Sequence, residues 1–155
     1  MAPIRPSNMP RGERGAALVE FAFALPLLLV VLAGIVDFGF VFQRYEVVTN
    51  AAREGARLAS LPGYDDDTTV DSRVRAYVMQ GLNITAGNLG AAMPSNAVKR
   101  VDQDMTVNGQ TVPTVIVTVT YNHNYLLLGP VLGLINKSWG GTITLTATSQ
   151  MRRES

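Results

Sequence analysis

An uninterrupted apolar segment near the N-terminus constrains this chain more than any other feature. From Ala16 to Val36 the sequence reads AALVEFAFALPLLLVVLAGIV, 21 residues in which Glu20 is the only charged side chain. About 20 apolar residues in a helix are enough to cross a bilayer. A core helix of a soluble protein would carry a polar face at the helical repeat, and this segment has none. The sequence therefore predicts a transmembrane helix segment, which we place at residues 16–42.

The charges before this segment predict its orientation. Residues 1–15 contain Arg5, Arg11 and Arg14 against one acid, Glu13. Basic residues that flank a membrane helix tend to stay in the cytoplasm, so we interpret residues 1–15 as a cytoplasmic leader. The rest of the chain would then lie outside the cytoplasmic membrane. We expect a single-pass inner-membrane protein with membrane lipid as one of its partners.

Two other kinds of N-terminal segment compete with this interpretation. A secretory signal peptide has an apolar region of about 7–15 residues and then a small-x-small cleavage site. The tripeptide at 31–33, just before Gly34, would serve as such a site. The apolar segment is long for that role, and it runs on as far as Phe42. A plain uncleaved anchor is the second alternative, and neither alternative accounts for Glu20.

The residues around the start of the apolar segment form a recognisable pattern. Arg14 and Gly15 end a basic leader, and Glu20 stands fifth in the segment that begins at Ala16 and continues with Phe21 after the acid. This pattern resembles the processing site of type IV pilin-like precursors, which a membrane aspartyl protease cuts after the glycine. The resemblance implies cleavage between Gly15 and Ala16 by a prepilin peptidase.

Glu20 gains a role from that resemblance. An ionised acid at the centre of a membrane helix costs about 2.5–3.5 kcal/mol on insertion scales. Glu20 lies only about 7.5 Å along the helix from Gly15, so water at the interface is one way to satisfy it. The other is a pair with the free α-amino group of a processed Ala16 on a neighbouring helix, because buried charges are tolerated when they are paired. Such a pair would fix the axial register between subunits.

Three stretches of the sequence indicate a particular group among the pilin-like proteins. They are VEFAFALPL at 19–27, GIVDFG at 34–39 and AAREGAR at 51–57. The chain resembles the TadE-like proteins, minor pseudopilins of the Tad (tight adherence, or Flp) pilus system, over most of residues 11–153. The resemblance implies a role in pilus biogenesis, adhesion or secretion. It also implies other pilins, pseudopilins and the Tad assembly machinery as partners, and no enzymatic activity.

Pro26 lies inside the apolar segment, and Asp37 directly follows it. Pro26 removes one backbone N–H and frees the carbonyl of Ala22, which predicts a helix kink. Asp37 lies about 25 Å beyond Glu20 along an ideal helix. We interpret Asp37 as a marker of the outer membrane interface and not as a second buried charge.

The helix is expected to continue outside the membrane over residues 43–63. Small or apolar side chains recur in steps of three and four, which predicts one buried helical face: Tyr45, Val48, Ala52, Ala56 and Ala59. Pro62-Gly63 is the first firm stop signal, so the predicted helix runs from about Ala16 to Ser60. The small side chains of 51–59 permit close approach of another element, either the protein's own sheet or a partner's helix.

Residues 64–155 predict a small α+β domain. The first expected element is a short amphipathic helix, with capping residues at 65–69 and an end near Gly81. It is followed by a loop over 83–95, a strand over 98–107 with an Asn108-Gly109 turn, a strand over 115–121, a loop with a short helix over 126–135, and a strand over 142–150. Three antiparallel strands covered by the long N-terminal helix would form a small core. The predicted fold class is therefore α+β and pilin-like.

Composition excludes several kinds of chemistry. The chain has no cysteine and one histidine, His123, and its net charge is +1. These numbers give no thiolate or two-histidine metal site and no electrostatic case for nucleic acid. The acidic run Asp65–Asp67 offers oxygen ligands for calcium, but helix capping explains it equally well. We expect no cofactor and no catalytic residue. The alternative to a pseudopilin is an unprocessed, single-span binding or adaptor module tethered to the outer side of the membrane.

Overall fold

One long helix organises the molecule. The computed structural model describes residues 11–64, 66–135 and 141–154, so residues 1–10 of the proposed leader lie outside the described part. Helix α1 (Arg11–Ala59) has 49 residues and continues through Pro26. It ends before Gly63, whose φ of +81° lies in the left-handed region that a helix cannot continue through. The predicted long helix and its stop are confirmed.

Two short helices follow α1. Helix α2 (Asp67–Leu82) begins at Asp66, whose carboxylate accepts hydrogen bonds from the backbone N–H groups of Thr68 and Thr69. The capping role expected of the acidic run is confirmed at Asp66. Helix α3 (Ala86–Ala92) lies inside the stretch that the sequence predicted as a loop. That prediction is wrong because Leu89 and Ala92 are buried in the core, and burial outweighs the low helix propensity of the surrounding Gly and Asn.

Three antiparallel strands form the sheet, in the order β1-β2-β3. They are β1 (Val98–Val107), β2 (Gln110–Asn124) and β3 (Thr142–Arg152). The turn between β1 and β2 is the predicted Asn108-Gly109 pair, and both residues have positive φ, 51° and 76°. Two positive φ values define the hairpin turn whose twist matches the strands. Strand β2 extends past the predicted 115–121 at both ends, because residues 110–114 pair with β1 and residues 120–124 pair with β3.

The core lies between one face of the sheet and the second half of α1 together with α2. Strand β2 turns alternate residues inward, and β3 adds two more. These residues are Val115, Val117, Val119, Tyr121, Leu145 and Ala147. The predicted cover of the sheet by α1 is confirmed. Tyr45, which the sequence placed on the buried face of α1, is 47% exposed, so that part of the prediction is wrong.

Two contacts bind the sheet domain to widely separated points of α1. A fourth helix, α4 (Leu128–Ile135), connects β2 to β3 and begins beside Asp37 of α1. At the other end, the backbone N–H of Glu154 donates a 2.9 Å hydrogen bond to the carbonyl of Ser60, just past the end of α1. The domain is therefore fastened to the helix at both ends of their common length.

Candidate functional site

The first half of α1 is an apolar surface that the rest of the described chain leaves open. No residue in its most apolar 18-residue window is buried within the described structure, and the helix is long and apolar enough to cross a membrane. The exposed fractions of Leu18, Phe23 and Leu27 are 69%, 80% and 70%. A continuous apolar surface of this size marks contact with lipid or with another protein. The apolar N-terminal helix thus indicates a membrane-anchored protein.

The residues predicted for processing and register all lie on this open part of α1. Gly15, Ala16, Glu20 and Phe21 are exposed, and no heavy atom lies within 4 Å of the position that a Cβ on Gly15 would take. Within the described residues, Glu20 makes no ion pair. The carboxylate of Glu20 is therefore open to a partner that the described structure does not contain. Pro26 also lies in the exposed segment, within the continuous helix.

The second half of α1 is a close-packed face of small side chains. Ala51, Ala52 and Ala56 are at most 1% exposed. A Cβ at Gly55 would lie 2.6 Å from Cγ2 of Val74 on α2 and 3.1 Å from Cγ1 of Val117 on β2, closer than van der Waals contact allows. The AAREGAR stretch therefore packs against the chain's own helix and sheet. Of the two occupants that the sequence left open, the structure shows the first.

A charged cluster secures the same contact at its edge. The carboxylate of Glu54 accepts hydrogen bonds from Arg57 on α1 and from Arg73 on α2, with N···O distances of 2.9–3.1 Å. Hydrogen bonding from Arg57, and then from Arg73, outweighs burial and lowers the pKa of Glu54 to about 2. Glu54 is therefore an ionised link between α1 and α2 at neutral pH.

Asp37 has an unexpected position. Its side chain is fully buried, and its carboxylate accepts hydrogen bonds from the backbone N–H groups of Leu126, Leu127 and Leu128 at 2.7–3.1 Å. These groups include the start of α4, where N–H groups have no partner inside the helix. The expectation that Asp37 is not a buried charge is wrong, because its carboxylate is buried and has a structural partner.

A polar recess lies next to this contact. It has a volume of about 380 Å³ and is lined by Arg44, three asparagines and His123. Burial is the main cause that lowers the pKa of His123, and the positive charge of Arg44 adds to it. Among the described residues, neither Nε of Arg44 nor Nε2 of His123 has a hydrogen-bond partner.

The acidic run gives no indication of a metal site in the described residues. Asp66 caps α2, and Asp67 pairs with Arg100 at 3.2 Å. Asp71 pairs with Arg75 at 2.7 Å. Asp65 lies outside the described residues. No group of three or more potential metal ligands occurs in the part that the structure describes.

Sequence reasoning missed the contact between Asp37 and α4 and the recess beside it. The partners of Asp37 are backbone groups 89 to 91 residues further along the chain, and backbone groups carry no sequence signal. The only sign available was the position of Asp37 itself, an acid directly after a membrane-length apolar segment.

Comparison with known proteins finds a similarity that covers most of both halves of α1. No curated protein and no solved structure matches the chain. Residues 15–57, however, match the family model described as TadE-like protein. The matched range begins at the predicted cleavage glycine and ends with the AAREGAR stretch. Over residues 15–57 the resemblance to the TadE-like family is thus confirmed.

Proposed function

We propose that this chain is a minor pseudopilin of a Tad-type pilus, cleaved by a prepilin peptidase between Gly15 and Ala16 and needed for pilus biogenesis and for adhesion or secretion. The observation that carries the proposal is the division of α1: an open apolar half joined without a break to a half that forms the core of a small domain. This shape suits a subunit that is first anchored in the membrane and later packs its helix against the helices of other subunits. The arginines of the leader favour a cytoplasmic N-terminus and an external domain.

The position of Glu20 supports an assembly role. It is exposed and has no ion pair within the described residues. Cleavage after Gly15 would create a positive α-amino group on Ala16, four residues before Glu20. Within one helix this group lies close to the carboxylate, and in a bundle of staggered helices it reaches the carboxylate of a neighbour. Removing one partner of a desolvated ion pair costs about 3–5 kcal/mol, so the pair would select one stagger between subunits.

The N-terminal mass of the protein isolated from its native membrane tests processing. We expect an N-terminus at Ala16, and Gly15→Leu should abolish it because a bulky side chain replaces the small residue at the cut. A start at Gly34 would instead indicate a secretory signal peptide. An intact leader in cells with an active prepilin peptidase would favour the unprocessed, tethered binding module and contradict the proposal.

Substitution of Glu20 tests assembly separately from processing. Glu20→Ala should leave the protein in the membrane fraction but reduce pilus formation, measured as sheared pili per cell. Glu46→Ala is the matched control, because Glu46 is an exposed acid on the same helix outside the apolar segment. Normal piliation in the Glu20→Ala strain would rule out the pairing argument.

A further inference from the structure

We propose that α4 is a second membrane-contacting element, which lies in the outer leaflet beside α1 and is fastened there by the carboxylate of Asp37. The inference rests on the membrane insertion of α1 contained in the proposed function, and it adds a lipid contact made by the sheet domain itself. Asp37 is the positioning residue of this contact.

The composition of α4 suits lipid. From Leu126 to Ile135 the sequence is LLLGPVLGLI, without a charged or polar side chain. Leu126 and Leu127, directly before the helix, are 61% and 42% exposed. A solvent-facing connection between two strands ordinarily carries polar residues. Ten consecutive apolar residues at this place therefore indicate an apolar surrounding.

The location of α4 gives its depth. The nearest heavy atom to a Cβ built at Gly34 is Cδ1 of Leu128, at 4.0 Å. Gly34 lies about 27 Å along α1 from Ala16, and the hydrocarbon core of a bilayer is about 30 Å thick. If the apolar segment spans the membrane from Ala16, the start of α4 lies at the outer end of the hydrocarbon region.

The carboxylate of Asp37 lowers the energetic cost of placing the start of α4 in an apolar medium. In an apolar medium each unsatisfied N–H group is costly, and the first N–H groups of a helix have no internal partner. The carboxylate of Asp37 accepts from three consecutive N–H groups, those of Leu126, Leu127 and Leu128. The same hydrogen bonds stabilise the buried carboxylate, so the start of α4 and Asp37 are removed from water together. A polar loop in solvent would need neither a buried carboxylate nor these hydrogen bonds, because water would satisfy its N–H groups.

Lipid is the partner that fits the surroundings. An apolar groove of about 360 Å³, lined by Leu127 and by α1 residues from Leu29 to Val36, continues directly into the open surface of the membrane segment. The helix stays apolar from Phe38 to Phe42, and Gln43 and Arg44 are the first polar residues after this stretch. Arg44 lies about 10 Å beyond Asp37 along the helix, which places the guanidinium and the polar recess near the headgroup layer. The apolar groove and the polar recess thus follow each other along α1 in the same order as the hydrocarbon and headgroup layers of a bilayer leaflet.

Site-directed spin labelling tests the depth of α4. The chain has no cysteine, so single labels are placed at Leu126→Cys, Leu29→Cys and Asn88→Cys in the full chain, reconstituted in vesicles of phosphatidylethanolamine and phosphatidylglycerol. Collision with oxygen reports lipid, and collision with a water-soluble nickel chelate reports water. We expect oxygen to dominate at Leu126 and at Leu29, and nickel to dominate at Asn88, which is exposed on α3.

Each outcome decides between occupants. Nickel dominance at Leu126 with oxygen dominance at Leu29 overturns the inference while the anchor stands. Nickel dominance at Leu29 overturns the anchor and the inference together. Protection of Leu126 from both reagents means that a second copy's helix covers the groove, and this also overturns the lipid contact.

A second variant tests the fastening. In the Leu126→Cys background, Asp37→Ala should move the label from oxygen towards nickel, and Asp37→Asn, which keeps one acceptor oxygen, should move it less. The label at Leu29 should not respond to either change. An unchanged depth of Leu126 in Asp37→Ala would show that the carboxylate does not hold α4 in the leaflet.

Discussion

The two halves of α1 share one backbone conformation but differ in how their surfaces are covered. In the first half large apolar side chains occur all around the helix, and no residue of its most apolar 18-residue window is buried within the described structure. In the second half small side chains form a single face that is almost fully buried, and arginines occupy the opposite face. The first half therefore needs an apolar environment outside the chain, whereas the second half is covered by the chain's own sheet domain. The size and distribution of the side chains, not helix propensity, determine this difference.

A lysine in the first half should have the largest effect. Leu29→Lys places a charge near the middle of the apolar segment and should oppose insertion by about 3 kcal/mol. The measurement is the fraction of chain that resists extraction from membranes at alkaline pH. Asn50→Lys, on the exposed face of the second half, is the control and should insert normally. Equal extraction of the two variants would mean that the first half does not lie in lipid.

A single added methyl group in the second half should have the next largest effect. Gly55→Ala places Cβ 2.6 Å from a methyl group of Val74, which is buried and β-branched and has little freedom to move. Overpacking of this kind costs about 1–3 kcal/mol of unfolding free energy, and we expect about 2. The measurement is denaturant unfolding of the full chain in detergent micelles.

Gly39→Ala is the matched control for this substitution. Gly39 lies on the same helix, and no heavy atom lies within 4 Å of its Cβ position. Its substitution should leave stability equal or raise it by about 0.5–1 kcal/mol, because alanine favours helix over glycine. If Gly39→Ala and Gly55→Ala proved equally stable, the close approach of α1 to α2 and the sheet would be refuted.

The smallest effect concerns the charged edge of the second half. Because the pKa of Glu54 falls from 4.5 to about 2 on folding, its ionised form stabilises the folded state above pH 4.5. That contribution is lost as the pH falls from 4.5 to about 2. Both arginines are more than half exposed, so solvent screening limits it to about 1 kcal/mol. Glu54→Gln should remove this pH dependence from the unfolding free energy, and an unchanged acid profile would contradict the linkage.

Local patterns in the sequence were enough to predict most of the fold. The apolar segment, the Asp66 cap, the Asn108-Gly109 turn and the alternation in β2 each depend on neighbouring residues, and the structure shows all of them. Helix α3 was missed because tertiary burial of Leu89 determines it against local propensity. Asp37 was misjudged for a related reason, since its partners are backbone groups about 90 residues away. The processing and register roles of Gly15 and Glu20 stay predictions.

The two fastening points of the sheet domain determine how the molecule carries load. Asp37 and Ser60 are about 34 Å apart along α1, and the domain is bonded to the helix region at both. Force applied along α1, as when a subunit is pulled from a bilayer or a filament is stretched, therefore acts parallel to the interface between helix and domain. Contacts along that interface are then loaded in shear together and do not open one after another, so the domain should move with its helix as one rigid unit.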